Sequence, residues 1–529
     1  MLHALLVATF GIAAATSAAP CESLARLSVT GEEVLGAEFV PGGDWKPPEG
    51  EPLKGLPAFC RVRLRLTLGT GSDIRAELWL PAEGWNGRFL GTGNGGFGGI
   101  IQHGFLGDGI RRGFATANDD TGTSSASGMD GSALVGKPVK WLDYGFRSTH
   151  AAAVAGKRLA AAYYGRRPHH AYFVGCSKGG NQGLHEAERF PEDFDGIVAG
   201  CTTPAFTRAV AQLAWMHAAV RASPASLPSK EQVETLHAAV LAACGPTDAG
   251  PVGEAWLADP SSCAFDPGAL ACRESSPPGC LAPAQVEALR KIYAGPSNPR
   301  TGARIFPGLP RGAESYPYFA WFAAPPEPPM GATFRWVLGS DWDAAHLDLD
   351  RDFAAVLGVL APIVDAGGSD LSRFAKRGGK LVLWHGWNDP IIPAGASIDY
   401  YLDVVARQNG PAARRVETTR SFARLFLAPG VEHCFGGPGP FGFGAVSLGA
   451  SFDADHDMLA GVVRWVEQGV APDRFVASKL VVDDLPSSGV VFERPLCAWP
   501  KVARYRGAGD RTQATSFACV APVRASAPR

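Results

Sequence analysis

The stretch Ala171-Tyr172-Phe173-Val174-Gly175-Cys176-Ser177-Lys178-Gly179-Gly180 constrains this chain more than any other. Four strand-forming residues run into Gly-x-Ser-x-Gly, and a helix-compatible segment follows from about Asn181 to Phe190. Strand, tight turn and helix are the setting of a nucleophile elbow, where the turn lifts a serine hydroxyl clear of a sheet. The small residues permit the sharp turn, and the Lys178 amide at the helix start can point at a developing oxyanion. In a chain with 65 glycines the pentapeptide alone could also be an ordinary loop. Its flanks and its partners downstream therefore decide its meaning.

Two later segments supply such partners. A strand-like run, Leu381 to Trp384, ends in a loop carrying Asp389, and Arg424 to Ala428 ends in a loop carrying His433-Cys434. The chain order Ser177, Asp389, His433 is that of α/β-hydrolase triads. His385 competes with His433 but precedes the acid and reads as structural. Asp399, further into the next helix, is the lesser candidate for the acid. Upstream, Gly91-Thr92-Gly93-Asn94-Gly95-Gly96-Phe97-Gly98-Gly99 follows a strand. It lacks the Lys-Ser/Thr ending of a phosphate-binding loop, so it reads as an oxyanion loop whose amides approach a reacting carbonyl. Gly95 is the favoured donor, with Gly96 close behind.

The rest of the chain fits a mostly parallel sheet with helices on both faces. Arg61 to Leu68 alternates polar and apolar residues with strand period, and Ile74 to Leu80 does so more loosely. Gly113 to Asp120 reads as a strand entering a polar loop, Tyr144 to Ala162 as an Ala-rich helix, and Ile197 to Ala199 as a buried strand. From 201 to 375 this alternation fades and Pro, Ala and Gly dominate. That segment reads as an insertion where a lid would sit, leaving 20–200 and 376–529 as a discontinuous catalytic domain. Its aromatic cluster, Tyr316, Tyr318, Phe319, Trp321 and Phe322, is either the insertion's own core or a substrate wall. A formal net charge of −2 without a basic stripe argues against nucleic acid. Past the first residues no run is long and apolar enough to span a membrane.

Leu5 to Ala15 is a short apolar core, and Ser17-Ala18-Ala19 offers a cleavage site, so residues 1–19 read as an export signal despite a start without Lys or Arg. Pro20 before Cys21 argues against a lipoprotein. Eleven cysteines without paired Cys-x-x-Cys spacing suit disulfides in an exported protein rather than zinc. Cys272 and Cys280 form one short-range pair, and the odd total leaves at least one thiol over.

The chain resembles the tannase and feruloyl esterase family, which includes mono(2-hydroxyethyl) terephthalate hydrolase. The resemblance rests on Gly175-Cys176-Ser177-x-Gly179-Gly180, on Phe190-Pro191-Glu192-Asp193-Phe194-Asp195-Gly196-Ile197-Val198-Ala199-Gly200, on His385-Gly386-Trp387-x-Asp389-Pro390 and on His433-Cys434. It implies a disulfide between the cysteine before the nucleophile and the one after the histidine, Cys176–Cys434. It also implies Cys21–Cys60, Cys244–Cys263, Cys272–Cys280 and Cys497–Cys519, with Cys201 left over. The sequence departs from the family at two places. The calcium loop expected after Cys244 keeps only Asp248, with Glu254 and Asp259 nearby, so a calcium site there reads as degraded. Lys178 stands where relatives more often carry a small residue or Thr; a solvent-facing side chain is the plainer reading, an acidic-substrate contact the alternative.

The expectation is a secreted or periplasmic serine carboxylesterase for aromatic acyl esters. Ser177 would be nucleophile, His433 base, Asp389 its orienting acid, and the Lys178 and Gly95 amides the oxyanion donors, with no cofactor required. Feruloyl, galloyl and terephthaloyl esters remain open, as does a non-catalytic phenolic- or carbohydrate-binding protein. The expected partner is a small aromatic ester, and the expected state a monomer or small homo-oligomer.

Overall fold

A computed structural model describes residues 18–522 apart from 49, 126, 246–254, 277, 325–326 and 447. Residues 1–17 of the expected export segment, and the calcium candidates Asp248 and Glu254, lie outside the described residues.

The strands up to the histidine loop are β1 (Glu32–Val40), β2 (Gly43–Trp45), β3 (Leu53–Leu56), β4 (Phe59–Leu66), β5 (Ile74–Pro81), β6 (Arg88–Thr92), β7 (Ala115–Asp119), β8 (His170–Cys176), β9 (Gly196–Gly200), β10 (Lys380–Gly386) and β11 (Ala423–Ala428). All but β2 and β3 form one sheet in the order β1-β4-β5-β7-β6-β8-β9-β10-β11. Pairs β1/β4, β4/β5 and β5/β7 are antiparallel. From β6 to β11 every pair is parallel. This is the α/β-hydrolase arrangement.

Burial explains the two kinds of strand signal. In β4, Val62, Leu64 and Leu66 are buried while Arg63 faces out, so the polar–apolar alternation is visible in sequence. In the parallel half both faces are covered. Phe173, Ile197, Leu381 and Leu383 meet helices Ser148–Tyr164, Lys178–Arg189 and Gly395–Ala406 on one side. Tyr172, Val174, Val198, Val382 and Trp384 meet helix Met458–Gln468 on the other. Such strands read as continuous apolar runs. The predicted Ala-rich helix opens with a π-turn, Asp143–Arg147, before its α-helical part.

Between β9 and β10 the chain makes a mainly helical excursion with helices Phe206–Arg221, Lys230–Cys244, Pro283–Ala294, Tyr316–Ala323, Ala332–Leu338 and Arg351–Val364. It has a core of its own, including Leu213, Leu236, Leu289, Phe319 and Phe322. Two disulfides, Cys244–Cys263 and Cys272–Cys280, tie it locally. Cys21–Cys60, Cys176–Cys434 and Cys497–Cys519 complete the set implied by the family resemblance, and Cys201 is a buried free thiol.

Candidate active site

Ser177 stands between β8 and the helix Lys178–Arg189 with φ 62° and ψ −120°. A non-glycine residue in this region carries roughly 1–3 kcal/mol of strain and persists only when its surroundings impose it. Here they do. Ser177 N–H donates to Gly200 O at 2.9 Å, and Ser177 O accepts from Asn181 N–H at 3.0 Å. A Cβ on Gly175 would lie 2.5 Å from the Gly179 carbonyl carbon, so strand and helix can meet this closely only as glycines.

The glycine loop after β6 is clamped against this turn. Gly179 N–H donates to Asn94 O at 2.7 Å. Gln182 Oε1 accepts from Asn94 N–H, and Gln182 Nε2 donates to Asn94 Oδ1, both at 2.9 Å. A Cβ on Gly93 would fall 2.4 Å from Gly179 Cα. The clamp places Gly95 and Gly96 along the same cavity as Ser177 and Lys178. Among the described residues the amides of Gly95, Gly96 and Lys178 find no acceptor, which leaves them free for an incoming oxyanion. The Asn94–Gln182 pair was not singled out in the sequence. Its signal is there: Gln182 lies in a helix segment buried from Lys178 to Ala187, where a polar side chain must find a partner.

Asp389 and His433 come together at the ends of β10 and β11. Asp389 is fully buried and its Oδ2 accepts from His433 Nδ1 at 2.7 Å. Its Oδ1 accepts from the amides of Ile391 and Ile392, each at 2.9 Å. Burial opposes the charge, but the His433 imidazole and the hydrogen bonds from His385 and His433 hold the carboxyl well below its ordinary range. His385, read from the sequence as structural, contacts the acid itself. Its Nε2 lies 3.1 Å from Asp389 Oδ2 and 2.8 Å from Ile392 O, and its Nδ1 lies 2.7 Å from Ser397 Oγ. Asp399 instead pairs with Arg304 of the insertion at 2.7 Å.

The expectation of a solvent-facing Lys178 is overturned. The residue is 2 % exposed, its Nζ donates to Asn181 Oδ1 at 2.8 Å, and it lies 4.1 Å from the centroid of the Tyr144 ring. Burial pushes the amine down to about 7, against the opposing carboxylates of Asp119 and Asp365. The position at the first turn of a helix buried from Lys178 to Ala187 accounts for this, since the side chain is packed among the neighbouring elements.

Ser177, His433, Cys176 and Cys434 all line one cavity of about 520 Å³. The insertion supplies one wall, with Phe206, Val210, Leu213, Tyr318, Trp321 and Met330. The aromatic cluster thus divides by helical spacing. Phe319 and Phe322 fill the insertion's core, while Tyr318 and Trp321 face the cavity. Burial, followed by the charges of Glu432 and Asp389, pushes the Tyr318 phenol up to about 12, so it presents a neutral hydroxyl. In the insertion, the described calcium candidate Asp259 has another use: its Oδ1 caps a short turn by accepting from Ser261 N–H at 3.1 Å.

The sequence pattern described as tannase and feruloyl esterase matches residues 60–324 and 338–520. The chain belongs to the tannase and feruloyl esterase family. Within that family it is 38% identical to an uncharacterized esterase of Xanthomonas campestris, over 97% of this chain and 95% of the relative. It is 32% identical to mono(2-hydroxyethyl) terephthalate hydrolase of Piscinibacter sakaiensis, over 88% and 85%. The crystal structure of feruloyl esterase B from Aspergillus oryzae superposes with a TM-score of 0.86 at 29% identity, covering 94% of this chain and 99% of that one. Membership in this family makes the chain a carboxylic ester hydrolase, and its substrates small-molecule esters. Among the described residues no helix is long and apolar enough to cross a membrane.

Proposed function

We propose that this member of the family is an exported serine esterase that hydrolyses esters of phenolic acids, with feruloyl-type esters preferred. His433 Nε2 takes the Ser177 proton as Ser177 Oγ attacks the ester carbonyl. Asp389 fixes the imidazole with Nδ1 as donor and stabilises its charged form. The amides of Lys178 and Gly95 hold the oxyanion, each such donor contributing about 3 kcal/mol to the transition state. The imidazolium then protonates the departing alcohol, and water, deprotonated by His433, resolves the acyl-serine. The chemistry draws on side chains and backbone amides alone. The insertion serves as a lid over the acyl side. Five disulfides suit an oxidising, exported setting.

One observation supports the feruloyl preference above the others: the cavity that Ser177 lines is apolar and partly aromatic, with Phe206, Tyr318 and Trp321, and offers no available Lys or Arg. Lys178 is the one Lys or Arg among the cavity-lining residues, and its ammonium is engaged by Asn181 and the Tyr144 ring. A terephthaloyl carboxylate entering here would be desolvated without a counter-charge, whereas a neutral phenolic acyl group would not. A galloyl ester is the second reading, favoured by the neutral Tyr318 hydroxyl. The test is kcat/KM on methyl ferulate, methyl gallate, mono(2-hydroxyethyl) terephthalate and p-nitrophenyl acetate, with Ser177→Ala as control. Methyl ferulate is expected to lead and the terephthalate to trail. Preference for the terephthalate, or turnover by Ser177→Ala, overturns the reading.

A further inference from the structure

The free thiol Cys201 follows β9 directly and sits beneath the acid–histidine pair. It is fully buried and its Sγ accepts from Cys434 N–H at 3.3 Å. Cys201 Sγ, a carboxylate oxygen of Asp389 and a ring nitrogen of His433 all lie within 4.8 Å of one another. Sulfur, imidazole nitrogen and carboxylate oxygen are the donor types that tetrahedral zinc sites use, at about 2.3, 2.0 and 2.1 Å respectively. Ligand atoms around such an ion stand roughly 3–4 Å apart, so the three donors close on one cation with shifts of about 1 Å. The neighbouring sulfurs of Cys176 and Cys434 are joined to each other, which leaves Cys201 as the free thiol there; burial and the Asp389 carboxylate push that thiol up, so a bound cation has to displace its proton. His433 lines the cavity, while Cys201 and Asp389 lie fully buried, so a cation enters past the His433 side chain.

We propose that Cys201, Asp389 and His433 form an inhibitory site for a thiophilic divalent cation, Zn2+ or Cd2+. The inhibition, though not the binding, rests on the reading of His433 as general base. On coordination the Cys201 proton passes to solvent and the thiolate, the carboxylate and His433 Nδ1 each donate a lone pair to the cation. No redox change occurs. The proton that Nδ1 carried moves to Nε2, so Nε2 no longer offers the lone pair that receives the Ser177 proton. The cation therefore holds the imidazole in the wrong tautomer without touching Ser177.

The test uses the purified full chain, with Cd2+ and Zn2+ as probes. Cd2+ is expected to raise an ultraviolet sulfur-to-cadmium charge-transfer band in the native protein, absent in both Cys201→Ser and Cys201→Ala. Saturating Zn2+ is expected to slow p-nitrophenyl acetate hydrolysis by about a hundredfold, the scale of a lost general base, with recovery on adding EDTA. Each variant is compared with its own metal-free rate and is expected to lose most of that inhibition. A native protein without the band, or equal inhibition in the variants, overturns the site. A metal-free protein that hydrolyses no ester would overturn the esterase reading instead, while the cadmium band would still decide whether the cation binds.

Discussion

Replacing both Cys176 and Cys434 by alanine separates what their disulfide does for stability from what it does for catalysis. The bond closes a loop of 258 residues. In the chain-entropy description such a closure stabilises the fold by about 5.5 kcal/mol. The two disulfides inside that loop, spanning 19 and 8 residues, shorten the free chain only slightly. Because the dependence on length is logarithmic, they trim the figure by only ~0.1 kcal/mol. The double variant is needed because either single one would leave a new thiol beside Cys201, whose sulfur lies within 4.8 Å of both partners. With a urea m-value on the order of 5 kcal/mol/M for a chain this long, the unfolding midpoint should fall by about 1 M. Activity should fall as well. Cys434 follows His433 directly, and a displacement of about 1 Å at a catalytic base costs around 10²-fold in kcat. Tryptophan fluorescence in urea and steady-state kinetics on methyl ferulate read the two effects. A midpoint shift under about 0.2 M together with an unchanged kcat would refute the reasoning.

The remaining predictions follow from individual contacts. Asp389→Asn should lower kcat on the order of 10³–10⁴-fold, since the wrong imidazole tautomer is then favoured, whereas Asp399→Asn should leave it near the native value; equal losses in the two would contradict the assignment of the acid. Gly93→Ala should reduce kcat more than it shifts the melting temperature, because the added Cβ would force the loop away from Gly179 and displace the Gly95 amide; normal kinetics in this variant would sink the clamp argument. Glu77, buried beside His103 and Arg61, is held down at about 2 although burial opposes its charge. A lowered carboxyl stabilises the fold above its unfolded value and loses that contribution as pH falls. Glu77→Gln should therefore cost about 3 kcal/mol at pH 7, with the difference shrinking from pH 4.5 towards 2; a gap independent of pH in urea titrations would contradict it.

Much of the site could be read from the sequence because nearly all of its parts sit at strand ends. A strand closing in Gly-x-Ser-x-Gly, a strand followed by Asp389 and a strand followed by His433 place three side chains along one sheet edge, whatever the remainder does. The buried strands were legible as apolar runs and β4 as an alternation. What stayed hidden depended on contacts between distant segments. Asn181 lies one turn away in the same helix, but nothing local says that Lys178 turns into the core, since the Tyr144 ring beneath it is found only once the helix packs. The split of Tyr318 and Trp321 from Phe319 and Phe322 likewise needs the insertion's own core. The same holds for Cys201, which the sequence leaves simply as an odd cysteine, yet the end of β9 brings it under Asp389.

The most direct test of the central claim is to trap the acyl-enzyme. The protein is mixed with methyl ferulate, quenched in acid within the first turnover, digested and read by mass spectrometry. The account predicts a feruloyl adduct on the peptide containing Ser177 and none in Ser177→Ala. An adduct on another residue, or hydrolysis that continues in Ser177→Ala, would contradict it.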